Sequence, residues 1–116
     1  MDAHRPTSTR IAIARLAELV VDSDPGVSPA AGGSWLTRDG DRAIPGVVVA
    51  AGAAGRIDVS LHLVAHLPPR PLEGQVATLR AELVAAARQA GLGDSLGPID
   101  VTIHDLREPS PDGMAA

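Results

Sequence analysis

The feature that most constrains the fold of this chain is an alternation of apolar and polar side chains over residues 57–66. Apolar side chains recur at every second position from Ile57 to Ala65, while His62 and His66 lie on the opposite side. A period of two is typical of a strand with one buried and one largely solvated face. The alternation therefore predicts a strand whose histidines point away from the core.

Two segments have the spacing of amphipathic helices. Residues 9–21 carry apolar side chains at intervals of three and four, and the helix-breaking sequence of residues 24–26 ends the pattern. Residues 71–90 repeat this spacing, with Pro71 suited to a first helical position and Gly91 to a C-terminal stop. Each segment is expected to form a helix that buries its apolar face in the core.

Two further strands complete the expected fold. Residues 43–50 are rich in valine, and residues 99–104 again alternate between apolar and polar side chains. The order helix, strand, strand, helix, strand predicts an α+β fold with two helices packed on one face of a three-stranded sheet. The expected core residues are Ile57, Val59, Leu61, Leu63, Leu79, Leu83, Val101 and Ile103.

The 116 residues suit a single domain. We expect a flexible leader at residues 1–8, one folded domain at 9–106 and a disordered tail at 107–116. Within the domain, residues 28–42 are rich in Gly, Ser, Asp and Arg and are expected to form a long loop, with a short extended piece around Trp35. A loop of that length is usually functional or mobile.

Composition excludes several classes of function. The chain has no Cys, which rules out disulfides and thiolate chemistry. Its net charge of −4, with scattered arginines, argues against nucleic acid as a partner. No apolar run reaches the ~20 residues of a membrane helix, so direct membrane insertion is not expected. The absence of Lys and Asn is typical of a bacterium with a GC-rich genome.

Histidines on the outer face of the sheet, the face turned away from the helices, are the candidate metal ligands. His62, His66 and His104 all fall there, beside Asp58 and Asp100. Four strand residues span ~13 Å, so His62 and His66 cannot share one ion. His62 and His104 can meet only if their strands are neighbours in a suitable register. A sheet face exposed to solvent also accounts for polar side chains at these positions. We therefore expect neither a metal nor another cofactor.

No arrangement of residues indicates catalysis. Ser, His and Asp occur without the strand–turn–helix motif that presents a nucleophile, so we name no catalytic residue and expect no enzyme. Val47, Val48 and Val49 are apolar on both faces of their strand. Either the domain covers both faces, or one face meets a protein partner or a second copy.

Several segments together give the chain a resemblance to a known family. They are the helix and turn from Ile11 to Val27, the paired strands at Val47–Val49 and Ile57–Val64, the helix Val76–Ala90 and the strand Ile99–His104. In pattern and order these resemble the alkaline shock protein family of Gram-positive bacteria. Three prolines before the second helix and the long loop at residues 28–46 depart from the family's pattern.

The resemblance implies a non-enzymatic scaffold of the envelope stress response. Such a protein would be cytoplasmic, recruited to the inner face of the membrane by an anchored partner, and in some cases self-assembling. The alternative function is a small-molecule or metal-binding domain that uses the His/Asp face of the sheet, or the Trp35 loop as a lid.

Overall fold

The computed structural model describes residues 8–32, 34–66 and 71–107. Two helices and six strands follow one another in this order: α1 (Thr9–Asp22), β1 (Val27–Pro29), β2 (Leu36–Asp39), β3 (Arg42–Pro45), β4 (Val47–Ala51), β5 (Ile57–His66), α2 (Leu72–Gln89) and β6 (Leu96–Arg107). Short 3-10 turns at Ala53–Gly55 and Gly93–Ser95 lead into β5 and β6. The α+β class expected from the sequence is confirmed.

The main sheet is built around β5, which takes partners on both edges. On one edge β6 runs parallel to it. On the other edge β4 and β1 lie end to end and antiparallel to β5, with Val47 opposite Leu61 and Val27 opposite Ala65. The second sheet is the antiparallel pair of β2 and β3. The expectation of a single three-stranded sheet is therefore wrong in strand number and in order.

The error lies at Pro45 and Gly46, which divide what the sequence presents as one valine-rich strand. Residues 42–45 pair with β2, and only residues 47–51 join β5. Gly46 has a φ of +75°, a left-handed conformation that turns the chain between the two strands. The region expected to be a loop at residues 28–42 is partly ordered as the end of β1, all of β2 and the start of β3.

The ends of the expected domain lie close to the ends of the described structure. Ser8 caps α1, because its Oγ accepts a hydrogen bond from the Ile11 amide at 3.2 Å. At the other end β6 continues to Arg107, so that residue belongs to a strand rather than to a tail. The rest of the expected leader and tail, residues 1–7 and 108–116, lies outside the described residues.

The core lies between the two helices and one face of β5. Val59, Leu61 and Leu63 are at most 1% exposed there, which confirms the assigned strand face. The predicted core residues Ile57, Val101 and Ile103 are only partly buried. The last two belong to β6, which is covered by a neighbouring strand on one edge only. The helices contribute Ile13, Ala14, Ala17, Val20, Val21, Leu79, Leu83 and Ala87.

The β2–β3 hairpin is held against α1 by buried and charged contacts. Ile44 of β3 is fully buried in the core. Arg15 binds Asp39 with both its Nε and Nη2 atoms, at 2.8 and 2.9 Å, and Arg42 reaches Glu18 at 2.7 Å. These contacts hold the hairpin beside the main sheet. Trp35 is the residue immediately before β2, so it lies at the start of this hairpin.

Candidate functional site: a three-ring cluster on the sheet

Three rings from distant parts of the chain meet on the outer face of the sheet: Trp35, His62 and His104. We call them the ring cluster. The Nδ1 atom of His62 lies 2.9 Å from the Nε2 atom of His104, which is hydrogen-bonding distance. Trp35 stacks on His62 with 4.4 Å between ring centroids and 17° between ring planes. Its ring lies 5.0 Å from that of His104 at an angle of 42°.

A shift in strand register brings His104 to the cluster. Along the parallel pair, Leu63 lies opposite Ile103, but the next residue, Val64, lies opposite Asp105. His104 is therefore an extra residue in β6 with no counterpart in β5. Bulges of this kind redirect side chains and occur often beside functional sites. Here the extra residue sets its imidazole beside that of His62.

Hydrogen bonds to the backbone of His62 bring Trp35 to the cluster. The chain leaves the sheet after β1, where the Ala30 amide donates to the His62 carbonyl at 2.8 Å. It returns at Gly46, whose carbonyl accepts from the His62 amide at 2.7 Å, and the Gly46 amide donates to the Trp35 carbonyl at 2.6 Å. Both ends of the segment that carries Trp35 are thus held at one residue of β5.

The imidazole of His62 favours the neutral state. Burial lowers the pKa of His62 from its ordinary value, and the nearby His104 lowers the pKa further through charge repulsion. In a neutral pair, one of the two facing nitrogens donates its proton to the lone pair of the other. Imidazole nitrogens in this state are the form that binds metal ions.

The cluster is open to solvent on its outer side. Trp35 is 38% exposed, His104 is exposed and His62 is partly buried. A ligand can therefore reach the two histidines without opening the core.

His66, the third candidate histidine, lies outside the cluster. Its Nε2 atom is 2.6 Å from the Ser28 hydroxyl on the neighbouring β1. It follows His62 by four strand residues, which separates their positions by ~13 Å. This places His66 on the same strand and face as His62 but in a different site.

The remaining sequence candidates are dispersed. The carboxylate of Asp58 packs against Gly52 and Gly97 at the far end of β5, and Asp100 is exposed on β6. Within residues 8–32, 34–66 and 71–107, no group of three or more His, Cys, Asp or Glu side chains is placed to hold a metal ion. Among the described residues, the side-chain ligands that the cluster itself offers an ion are His62 and His104.

The valines proposed as an interaction surface are mainly internal. Val47 and Val49 are 1% and 7% exposed and belong to the core, while Val48 faces outward and is partly buried. Their use in self-association stays a prediction, and in this structure only Val48 is available for it.

Comparisons with known proteins add no relatives: no protein-family model matches the chain, and neither the curated proteins nor the solved structures contain a significant match. Neither α1 nor α2, the helices of the described segments, is long and apolar enough to cross a membrane. The features of this chain that bear on function are therefore the ring cluster and the residue patterns.

Proposed function

We propose that this chain is a non-enzymatic metal-binding domain whose protein ligands are His62 and His104. The observation that carries the proposal is the 2.9 Å distance between His62 Nδ1 and His104 Nε2. Two imidazole nitrogens that face each other on neighbouring strands need only small side-chain rotations to coordinate one ion. Imidazole is a preferred ligand of zinc, copper, iron and nickel.

The direction of the pKa shift of His62 agrees with the geometry. Metal binding requires neutral imidazole, and the lowered pKa of His62 keeps that ring neutral at physiological pH. The position of the pair also favours reversible binding, because His104 and Trp35 are at the surface. Binding alone needs no nucleophile or general acid, so the proposal includes no catalytic step.

Elemental analysis of protein purified without a histidine tag tests this function. The protein is incubated with Zn²⁺, Ni²⁺ or Cu²⁺ salts, or with Cu⁺ under anaerobic reducing conditions, and excess ion is removed. The wild type should retain a stoichiometric amount of at least one of these metals. His62→Ala and His104→Ala should lose it. His66→Ala is the matched control, since it removes an imidazole from the same strand and face, and it should retain the metal. Equal metal retention by all four proteins, or none by the wild type, would contradict the proposal.

A scaffold role in the envelope stress response is the second candidate. Its support is the residue pattern that resembles alkaline shock proteins. The segments of that pattern fall largely in α1, β4, β5, α2 and β6, with β1, β2 and β3 lying between α1 and β4 along the chain. Under this proposal the chain is cytoplasmic, assembles with copies of itself and reaches the membrane only through an anchored protein partner. Its net charge of −4 disfavours direct contact with anionic lipid.

Two measurements test the scaffold proposal independently of metal. Purified chain should remain in the supernatant when centrifuged with anionic liposomes, and should sediment partly with membranes in native cell extracts. Light scattering over a concentration series should show a mass above that of the monomer. Strong binding to protein-free liposomes would refute recruitment by a partner, and a strictly monomeric mass would refute self-assembly.

A further inference from the structure

We infer that the ion bound by the ring cluster is monovalent copper, held by two histidines and covered by the face of Trp35. This inference rests on the proposed metal-binding function and specifies its ligand. Silver(I), which has the same charge and likewise a filled d shell and is stable in air, is the experimental stand-in.

The number of available ligands selects the ion. Zinc takes four protein ligands in structural sites and three in catalytic sites. Divalent copper and nickel favour tetragonal arrangements of nitrogen and oxygen ligands. Calcium and magnesium require oxygen ligands. The cluster presents two converging nitrogens, and in the described residues no larger group of metal-ligating side chains surrounds them. Monovalent copper, with a filled d shell, readily accepts two nitrogen ligands in a near-linear arrangement.

The distance between the nitrogens is compatible with this geometry after a small movement. Metal–imidazole bonds are about 2.0 Å long, so a linear ion would separate the two nitrogens by about 4 Å. The observed separation is 2.9 Å. His104 is exposed and lies at a bulge on an edge strand, so its ring can move outward by the additional ~1 Å.

Proton balance also permits binding near neutral pH. The proton shared by His62 Nδ1 and His104 Nε2 must leave the space between the rings. It can do so by a tautomer change, in which the donor ring carries its proton on its other nitrogen. In that tautomer both facing nitrogens carry a free lone pair, and binding releases no net proton.

After the two imidazole nitrogens, the third contact to the ion is the π face of the Trp35 indole. The indole lies at 17° to the His62 ring and 4.4 Å from it, centroid to centroid. The same indole lies 5.0 Å from the His104 ring, so an ion placed between the two imidazoles would lie beneath the indole face. A cation within about 6 Å of a tryptophan ring is attracted by the ring's quadrupole. The chain has one Trp and no Tyr or Phe, so its ultraviolet fluorescence reports this site alone.

The test is titration of the full chain with Ag⁺ in chloride-free buffer, and with Cu⁺ under anaerobic reducing conditions, against Zn²⁺ as comparison. Trp35 fluorescence and calorimetry measure binding. We expect saturable binding of one monovalent ion per chain, with quenched fluorescence. Affinity should be at least tenfold weaker in His62→Gln and in His104→Gln, and unchanged in His66→Gln. Circular dichroism of each variant checks that it is folded.

Trp35→Leu separates the role of the indole from that of the histidines. Calorimetry should show the same stoichiometry with binding weakened about 2- to 30-fold, the contribution of a cation–π contact. Nitrogen-15 NMR of the wild type provides a readout that needs no variant: the resonances of His62 Nδ1 and His104 Nε2 should shift on addition of Ag⁺, while those of His66 stay in place.

The outcomes distinguish this inference from the function on which it rests. If Zn²⁺ binds through His62 and His104 but Ag⁺ and Cu⁺ do not, the choice of ion is wrong and the metal-binding function stands. If no ion binds, both fail. If monovalent ions bind with equal affinity to Trp35→Leu and the wild type, the indole does not cover the ion.

Discussion

Replacing Gly46 with alanine tests how the segment carrying Trp35 is joined to the sheet. Gly46 has a φ of +75°, and a Cβ atom there would lie 2.7 Å from the His62 carbonyl oxygen and 2.8 Å from the Pro29 Cβ. The left-handed conformation costs an alanine roughly 1–2 kcal/mol. Forcing a methyl group into a filled space costs a further ~1–3 kcal/mol. Gly46→Ala should therefore destabilise the fold by about 2–5 kcal/mol.

Gly40→Ala is the matched control for this prediction. Gly40 has a similar φ of +64°, but a Cβ atom there meets nothing within 4 Å. Only the conformational cost of ~1–2 kcal/mol applies. Urea denaturation followed by circular dichroism and by Trp35 fluorescence gives both free energies of unfolding. Equal values for the two variants would refute the close approach of Gly46 to the backbone of His62.

Three further predictions concern stability. Leu61→Ala should cost ~2–5 kcal/mol in urea denaturation, because Leu61 is fully buried, and an unchanged midpoint would disprove the assigned strand face. The pKa of His62 is lowered in the folded state, so the unfolded chain binds the proton more readily, and stability should fall as the pH drops below about 6.5; His62→Gln should flatten this dependence in thermal melts. The hydrogen bond from Arg15 lowers the pKa of Asp39, so the stability from that pair should be present above pH 3.8 and lost as the pH falls further, a loss absent in Asp39→Asn.

Periodicity was sufficient to predict the two helices and the central strand. The apolar positions of α1, α2 and β5 repeat over enough residues for one period to be distinguished from another, and their observed bounds agree with the expected ones within a few residues. The buried face of β5 was correct for the same reason. These elements are specified by local patterns that a single sequence displays.

The edge of the sheet could not be predicted in this way. β1 has three residues, too few to show a period. The run from Ala43 to Ala50 is apolar throughout, and it conceals the change of partner at Gly46, where β3 ends and β4 begins. Pairing between strands depends on contacts across the chain rather than on neighbouring residues. The sequence offered the dipeptide Pro45-Gly46 as the sign of a break.

The candidate site was predictable in part. The alternation placed His62 and His104 on the outer face and made their contact conditional on neighbouring strands in a suitable register. β5 and β6 are neighbours, but the bulge at His104 is a property of the strand pair and has no local signature. The predicted long loop makes Trp35 a possible lid. Its stacking on His62, however, depends on the ordered β2–β3 hairpin, which the sequence does not predict.

The interruption of the edge strand is what creates the ring cluster. Were β1 and β4 one continuous strand along β5, no segment would leave the sheet at His62, and the outer face would carry only a solvated histidine pair. Because the chain departs and returns through hydrogen bonds to the His62 backbone, Trp35 is held over the His62 ring. The hairpin that follows Trp35 is in turn fixed to α1 by Arg15 and Arg42. If the rings bind an ion as proposed, removing those ion pairs should weaken binding without altering either histidine. Calorimetric titration of Arg15→Gln and Arg42→Gln with Ag⁺ measures this, and an affinity equal to that of the wild type would show that the ion pairs do not support the site.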